Sequence, residues 1–373
     1  MCGLKSKRIC KEQGVSVHFI SAQDALQRMA LPEGQSGAFS TIIDARSEAE
    51  YALDHLPGAV NWPSLTNDER VRIGTMYKQI SAFEAQKHGA ALVAANIARH
   101  IEREVLHLPK HWQPLIYCWR GGKRSGALSM VLGQIGFKVH LIEGGYKAFR
   151  AAMLQDLSAC VARLRFRIIS GPTGSGKTRL LHALKAQGAQ VLDLEELAQH
   201  RSSVLGHLPG QPQPSQKHFD TLVWQHLRRF NSQQVVFVES ESRKVGNVSI
   251  PETLMLAMRD SPCHEVQLSL QERVALLMED YPFFVNDRNL FCQRLAALTS
   301  IRGKEVVGRW QQQVNNGQME DVVCDLLQTH YDPTYAASMK RNFSAAQAAT
   351  SLLLQDRSEN SLKLCAQQLL QNA

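Results

Sequence analysis

At 373 residues the chain is long for one ordinary hydrophobic core, and two domains of moderate size are expected. Its 42 Lys and Arg against 34 Asp and Glu leave a formal charge of +8, a balance that suits a polyanionic partner. Eight cysteines lie scattered without a C-x-x-C pair, which argues against a zinc site or disulfide framework and for a reduced, cytoplasmic setting. The basic start MCGLKSKRIC lacks a following apolar segment and no run approaches a membrane span, so neither a leader nor a membrane association is expected.

Short β-rich runs then alternate with helical patterns from residue 17: VHFI, FSTIIDAR, GAVNWP, PLIYCW and KVHLIEGG. Such alternation predicts a parallel sheet with crossover helices. Between NWP and PLIYCW, a polar, alanine-rich stretch reads as helical through EAQKHGAALVAANIARHIERE, so an insertion is expected there. After YKAFRAAMLQDLSACV the pattern restarts with RLRFRIISGPTGSGKTRLLHAL, a strand, a glycine-rich turn and a helix, which puts a boundary near residue 158. QVVFVESESR reads as a further strand and follows HLPGQPQPSQKH, a loop by composition. Beyond residue 265 the pattern is mostly helical. Two α/β units in tandem, the second ending in helices, are expected.

GPTGSGKT, Gly171 to Thr178, satisfies G-x-x-x-x-G-K-[ST] and stands between an apolar strand and a helix, as a phosphate loop must. Gly171, Gly174, Ser175 and Gly176 let backbone amides curl around an anion, Lys177 reaches the outer phosphate, and Thr178 is placed to ligate Mg²⁺. QVVFVES supplies Glu239 at its end and Glu241 just beyond, where nucleotide hydrolases keep an acidic residue; Asp193, closing AQVLDLEE, is a weaker candidate for the same part. A solvated strand end explains the acids equally well.

YCWRGGKRSG carries the second candidate chemistry. Cys118 ends an apolar run and opens a loop in which Trp119, Arg120, Gly121, Gly122, Lys123, Arg124 and Ser125 lead into a helix. Paired glycines at a helix N-terminus aim N–H groups inward as an anion nest, and the three basic side chains strengthen the field that favours thiolate, the reactive form.

These residues carry a resemblance. IIDARSEAEYALDHLPGAVNWP, YCWRGGKRSGAL and LIEGGYKAFR resemble successive signatures of a rhodanese domain, in which such a cysteine carries sulfur as a persulfide. Usual rhodanese loops read C-x-x-G-x-R-S; this one is a residue longer, and its C-x5-R-S spacing also suits the phosphatases built on this fold. The expected fold is therefore a rhodanese-like α/β domain with a parallel sheet over 17–155, then a P-loop NTPase-like α/β domain with C-terminal helices over 160–373.

Rhodanese signatures followed by a phosphate loop are rarer than either alone. With NDERVRIGTMYKQ, CWRGGKRS, EGGYKAFR, GPTGSGKT, DLEELAQHRSS, VESESRKVG and YDPTY in order, the chain resembles the bacterial tRNA 2-selenouridine synthases from about Ile42 to Tyr335; residues 1–16 fall outside. That resemblance implies a two-step exchange at the wobble uridine of tRNAs for Lys, Glu and Gln: geranylation of 2-thiouridine from geranyl diphosphate, then replacement of the geranylated sulfur by selenium from selenophosphate. It also implies Cys118 as the carrier of selenium (S-selanylcysteine), Gly171 to Thr178 as the diphosphate site, no tightly bound cofactor, and transient contact with the enzyme that makes selenophosphate.

Anticodon-loop contacts are less localised. In RLRFR, Arg163, Arg165 and Arg167 alternate as if on one face of a strand, and QHRSS offers His200 and Arg201; such groups position a phosphate backbone without reading sequence. An exposed charged strand edge accounts for the same arginines. Trp119 is placed to stack on an unstacked base, with core packing the bland alternative. Two other enzyme readings fit parts of the pattern: an ATP-dependent kinase or hydrolase fused to a sulfur carrier, and a C-x5-R phosphatase. A tRNA-binding regulator with vestigial loops is the non-enzymatic one.

Overall fold

The structure is a computed structural model that describes residues 17–32, 34–203, 205–343 and 349–372. It divides into two compact units, Met1–Asp156 and Leu157–Ala373, with the division inside the helix Gly145–Arg163. No helix among the described residues is long and apolar enough to cross a membrane.

In the first unit, β1 (Val17–Ile20), β2 (Thr41–Asp44), β3 (Ala59–Asn61), β4 (Pro114–Tyr117) and β5 (Val139–Ile142) form one sheet in the order β1-β5-β4-β2-β3, parallel throughout. PLIY and VHLI are buried at every position, because interior parallel strands are covered on both faces and read as continuous apolar runs. The expected insertion is helical: Asn67–Gln79, opened by a Thr66/Glu69 capping box, and Ala82–His100, N-capped by Ser81. From β4 the chain turns through the cysteine loop into the helix Lys123–Ile135, which stops at Gly136 in a left-handed C-cap. Cys118 thus lies at the carboxyl end of a central strand, where open α/β sheets place their chemistry. It packs in the core with Ile43, Trp62, Ile116 and Leu128.

In the second unit, β6 (Arg165–Ser170), β7 (Gln190–Leu192), β8 (Val235–Glu239), a small antiparallel ribbon of β9 (Lys244–Val245) and β10 (Val248–Ser249), β11 (Cys263–Gln267) and β12 (Thr350–Leu353) follow in chain order. The main sheet runs β12-β11-β6-β8-β7, again parallel. Leu180, Leu181 and Leu184 of the helix Lys177–Ala186 pack on Ile169, Phe237 and Val266, and the helix Glu359–Gln371 closes the layer with Leu362, Cys365 and Leu369. A separate helical cluster built on Phe291, Leu295, Trp310 and Val322 occupies the middle of this unit's sequence.

One expectation is refined and one needs correction. The region beyond residue 265 is mostly helical, as expected, and β12 adds a parallel edge strand to β11. Its sequence, TSLL, is short and largely exposed, so it offers no clear alternation. Arg163 is not on the strand entering the phosphate loop but ends the preceding helix; the period-two look of RLRFR spans a helix end and a strand start. Only Arg165 and Arg167 share a face of β6.

Candidate active sites

The cysteine loop is held from below by backbone. Tyr146 N–H donates to the Cys118 carbonyl at 2.8 Å and Lys147 N–H to the Trp119 carbonyl at 3.1 Å. This approach explains the paired glycines of EGGYK: Gly145 has φ +60°, and a Cβ there would fall on the Cys118 carbonyl and the Gly121 amide. Gly121, at φ +66°, would put its own Cβ 2.8 Å from the Ile142 carbonyl. The two loops therefore fit only without side chains at these points.

Under them lies a buried polar network. Asp44 grips Arg46 through two contacts of 3.0 Å and one of 2.6 Å, Tyr117 Oη donates to Asp44 at 2.8 Å, and Arg46 donates to the Asp54 carbonyl at 2.6 Å. Tyr146 Oη donates to Asp54 at 2.6 Å, and the Arg46 guanidinium lies 4.1 Å over the Tyr146 ring. Removing one partner from such a buried pair costs about 3–5 kcal/mol, because the other charge is left without compensation. Tyr117 precedes Cys118, and Tyr146 stacks on Trp119 with centroids 5.5 Å apart. The network so fixes both sides of the loop.

At the loop itself, Cys118 is buried at 3% exposure, and Ser125 Oγ donates to its sulfur at 3.0 Å. Trp119 is half-buried with one ring face against Tyr146. The basic residues differ: Arg120 and Lys123 are exposed, whereas Arg124 donates to Glu50 at 2.6 Å. Gly122 precedes the helix that Lys123 opens.

The phosphate loop follows β6 as expected, with the helix beginning at Lys177. Lys177 Nζ donates to the carbonyls of Gly171 at 2.7 Å and Pro172 at 3.3 Å. Ser175 is fully buried with no hydrogen-bond partner for its hydroxyl, and Thr178 is half-buried. The distant YDPTY segment clamps the loop. Tyr335 Oη accepts from Gly171 N–H at 2.6 Å, while Asp332 holds Arg273 through contacts of 2.6 and 3.0 Å and Arg273 Nε donates to the Thr173 carbonyl at 2.9 Å. Neither Arg273 nor the clamping role of Asp332 and Tyr335 was expected from local sequence.

Three carboxylates, Glu195, Glu239 and Glu241, act on Lys177, and Asp193 adjoins them. Asp193 N-caps the helix Leu194–Ala198, accepting from Glu196 N–H at 2.7 Å, and meets His182 at 3.3 Å. Glu239 Oε1 accepts from the N–H groups of Leu194 at 2.7 Å and Glu195 at 3.0 Å; its Oε2 is buried with no hydrogen-bond partner. Burial, together with Asp193, Glu195 and Glu241, raises the Glu239 carboxyl well above the ordinary range. Burial and the Glu241 carboxylate push Glu195 up to about 8 against the pull of Lys177, and burial takes Glu241 to about 7. Burial in turn lowers Lys177, opposed by the surrounding carboxylates. Asp193, Glu239 and Glu241 are thus brought together, and Glu195, hidden in the acidic run DLEE, joins them.

Beside the loop opens an apolar cavity that meets it at Thr173 and is walled by Leu277, Tyr281, Phe284, Leu326, Leu327 and Tyr331. Arg201 belongs to this neighbourhood: it donates to the Asp280 carbonyl at 2.7 Å and lies 4.5 Å over the Tyr281 ring. His200 is buried and bridges to His207. The other arginines proposed for tRNA sit elsewhere in this unit. Arg163 donates to the Arg228 carbonyl at 3.2 Å and the exposed Arg165 to the Gln233 carbonyl at 2.9 Å, while Arg167 is half-buried. Among the described residues no group of three or more His, Cys, Asp and Glu side chains is arranged to hold a metal ion.

A family model for the tRNA 2-selenouridine synthase AAA domain matches residues 164–298, and a rhodanese-like domain model matches residues 21–152. The chain is similar to the tRNA 2-selenouridine synthase of Nitrosomonas europaea, 36% identical over 248 residues, covering 65% of this chain and 64% of that protein. With the synthase of Marinobacter nauticus it shares 35% identity over 243 residues, covering 64% of this chain and 65% of that one. With that of Alcanivorax borkumensis the identity is 31% over 353 residues, 85% of this chain and 95% of the relative. The match thus spans just under two thirds of the first two relatives and nearly all of the third.

Proposed function

The chain belongs to the tRNA 2-selenouridine synthase family, and from that premise we propose that it converts 2-thiouridine at the wobble position of tRNAs for Lys, Glu and Gln to 2-selenouridine, by way of S-geranyl-2-thiouridine. Geranyl diphosphate is the first co-substrate and selenophosphate the second. The observation that carries the geranyl step is the apolar cavity meeting the phosphate loop at Thr173, whose volume of about 60 Å³ has room for part of an alkyl chain. An alkyl diphosphate needs such a pair of neighbours, a cradle for the anion and an apolar wall for the chain, whereas the ribose and base of a nucleotide ask for polar partners.

Geranylation is activation. Sulfur on C2 of a thiouridine leaves poorly because it departs highly charged; as a thioether it leaves as a thiolate. Displacing diphosphate requires donors aimed at the departing anion, a part assigned to the loop amides and Lys177. Mg²⁺ fits the oxygen donors here, the Thr178 hydroxyl and the unpartnered Glu239 oxygen, because this cation takes one or two protein oxygens and leaves its other positions to phosphate and water. When bound it would neutralise diphosphate charge. Cys118 is proposed to carry selenium as S-selanylcysteine, with Ser125 hydrogen-bonded to its sulfur and the loop amides, Arg120 and Lys123 facing the phosphate of the donor.

Two anion loops then serve two anionic co-substrates. Lys177→Ala is expected to lower geranyl transfer by roughly 10²–10³-fold while sparing selenation of tRNA already geranylated. Cys118→Ser is expected to do the reverse, accumulating S-geranyl-tRNA. Equal loss of both half-reactions in either variant contradicts the division.

A further inference from the structure

The spacing Cys118-x5-Arg124 alone suits a phosphatase, in which the arginine would grip the phosphate beside the cysteine. Here that arginine is already engaged. Its guanidinium donates to Glu50 at 2.6 Å and 3.5 Å, and Arg70 reaches the same carboxylate at 3.1 Å. Glu50 is held in turn: its Oε2 accepts from the Ser47 N–H and hydroxyl, each at 3.3 Å, which fixes the carboxylate at the start of the helix Glu48–Leu53. Ser64 Oγ donates to the Arg124 carbonyl at 3.2 Å and pins the backbone too. The pair is well shielded, with side-chain exposures of 21% for Arg124 and 14% for Glu50. Burial pushes the Glu50 carboxyl up, and Arg124 and Arg70 more than offset this, so it stays charged.

A cation paired this closely to a carboxylate adds little field beyond the pair, because the two charges nearly cancel for a third group farther away. We propose that Glu50 is a specificity-determining residue of the cysteine loop: by compensating Arg124 it weakens the loop's hold on tetrahedral oxyanions. Loop amides, Arg120 and Lys123 remain to receive an anion, and the anion leaves readily. For a carrier whose donor is an oxyanion, this separates the loop from one built to retain a phosphoryl group. The consequence rests on the carrier role proposed for Cys118, but the test requires neither selenium nor tRNA.

The probe is inorganic phosphate, and the readout is the concentration that halves the rate of Cys118 alkylation by iodoacetamide in the intact chain, followed by peptide mass spectrometry. Reading Cys118 alone excludes phosphate bound at Gly171 to Thr178. Glu50→Gln keeps a side chain able to complete the helix-start hydrogen bonds but removes the charge, and should lower the half-protecting concentration about tenfold, as expected when one charged donor is released to an anion. Adding Arg124→Ala to it should abolish the gain. Arg124→Ala alone, which does not depend on the folding of the Glu50 variant, bares the Glu50 carboxylate to the loop and should raise the half-protecting concentration. An unchanged or weaker protection in Glu50→Gln, a gain that survives the addition of Arg124→Ala, or an unchanged or stronger protection in Arg124→Ala alone overturns the proposal.

Discussion

Glu195 shows how a single side chain reports on the phosphate-loop site. Its carboxyl is raised from an ordinary 4.5 to about 8 by burial and by Glu241, with Lys177 opposing. A raised carboxyl binds protons more tightly in the native state than in the unfolded one. Stability from this source is therefore fully present below about pH 4.5 and is lost as pH rises through about 8. Glu239 and Glu241 shift in the same direction and act in the same sense. Glu195→Gln removes one such group, so its melting midpoint relative to wild type should climb as calorimetry moves from pH 5 toward pH 8, the window these shifts define. A relative midpoint that falls over that window would show that the carboxyl is not buried as described. Glu195 was not legible beforehand because DLEE offers several acids, and only the fold selects the one that turns toward Lys177.

The elements divide into those written in contiguous sequence and those assembled from afar. Both anion loops were legible, since strand, glycine turn and helix follow one another within a few residues in GPTGSGKT and in YCWRGGKRSG. Their supports were not. Arg273, Asp332 and Tyr335 reach the phosphate loop from roughly a hundred residues or more away, as the fold brings them together. YDPTY could be quoted as a motif, but nothing in its letters says that it clamps Gly171 and Thr173. β12 escaped for a different reason, as a four-residue edge strand lacks the alternation that marks a half-buried one.

The seam between the cysteine loop and the turn that supports it gives an element-scale prediction. Gly145→Ala must place a side chain at positive φ, about 1–2 kcal/mol, and also push it into the Cys118 carbonyl. Gly58 has φ +72° with nothing within 4 Å of an added Cβ, so Gly58→Ala carries the conformational part only. Thermal melts should show Gly145→Ala clearly the more destabilised of the two. Equal midpoints would mean that the two loops do not meet as closely as they do here.

At the scale of the whole molecule, each unit has a parallel α/β sheet with a glycine-rich turn between a strand and a helix, and the sequence motifs alone carried that much. What they could not carry is the difference between the turns. One holds a buried thiol in hydrogen-bond contact with Ser125 and an arginine neutralised by Glu50; the other holds Lys177 among carboxylates and beside an apolar cavity. Those differences suit the covalent carriage proposed for the first and the alkyl diphosphate chemistry proposed for the second. The most direct test incubates the protein with 2-thiouridine tRNA, supplying geranyl diphosphate and selenophosphate singly and together, and identifies the wobble nucleoside by mass spectrometry. Geranyl diphosphate alone should yield S-geranyl-2-thiouridine, and both donors together 2-selenouridine. Unchanged 2-thiouridine under every condition would contradict the assignment.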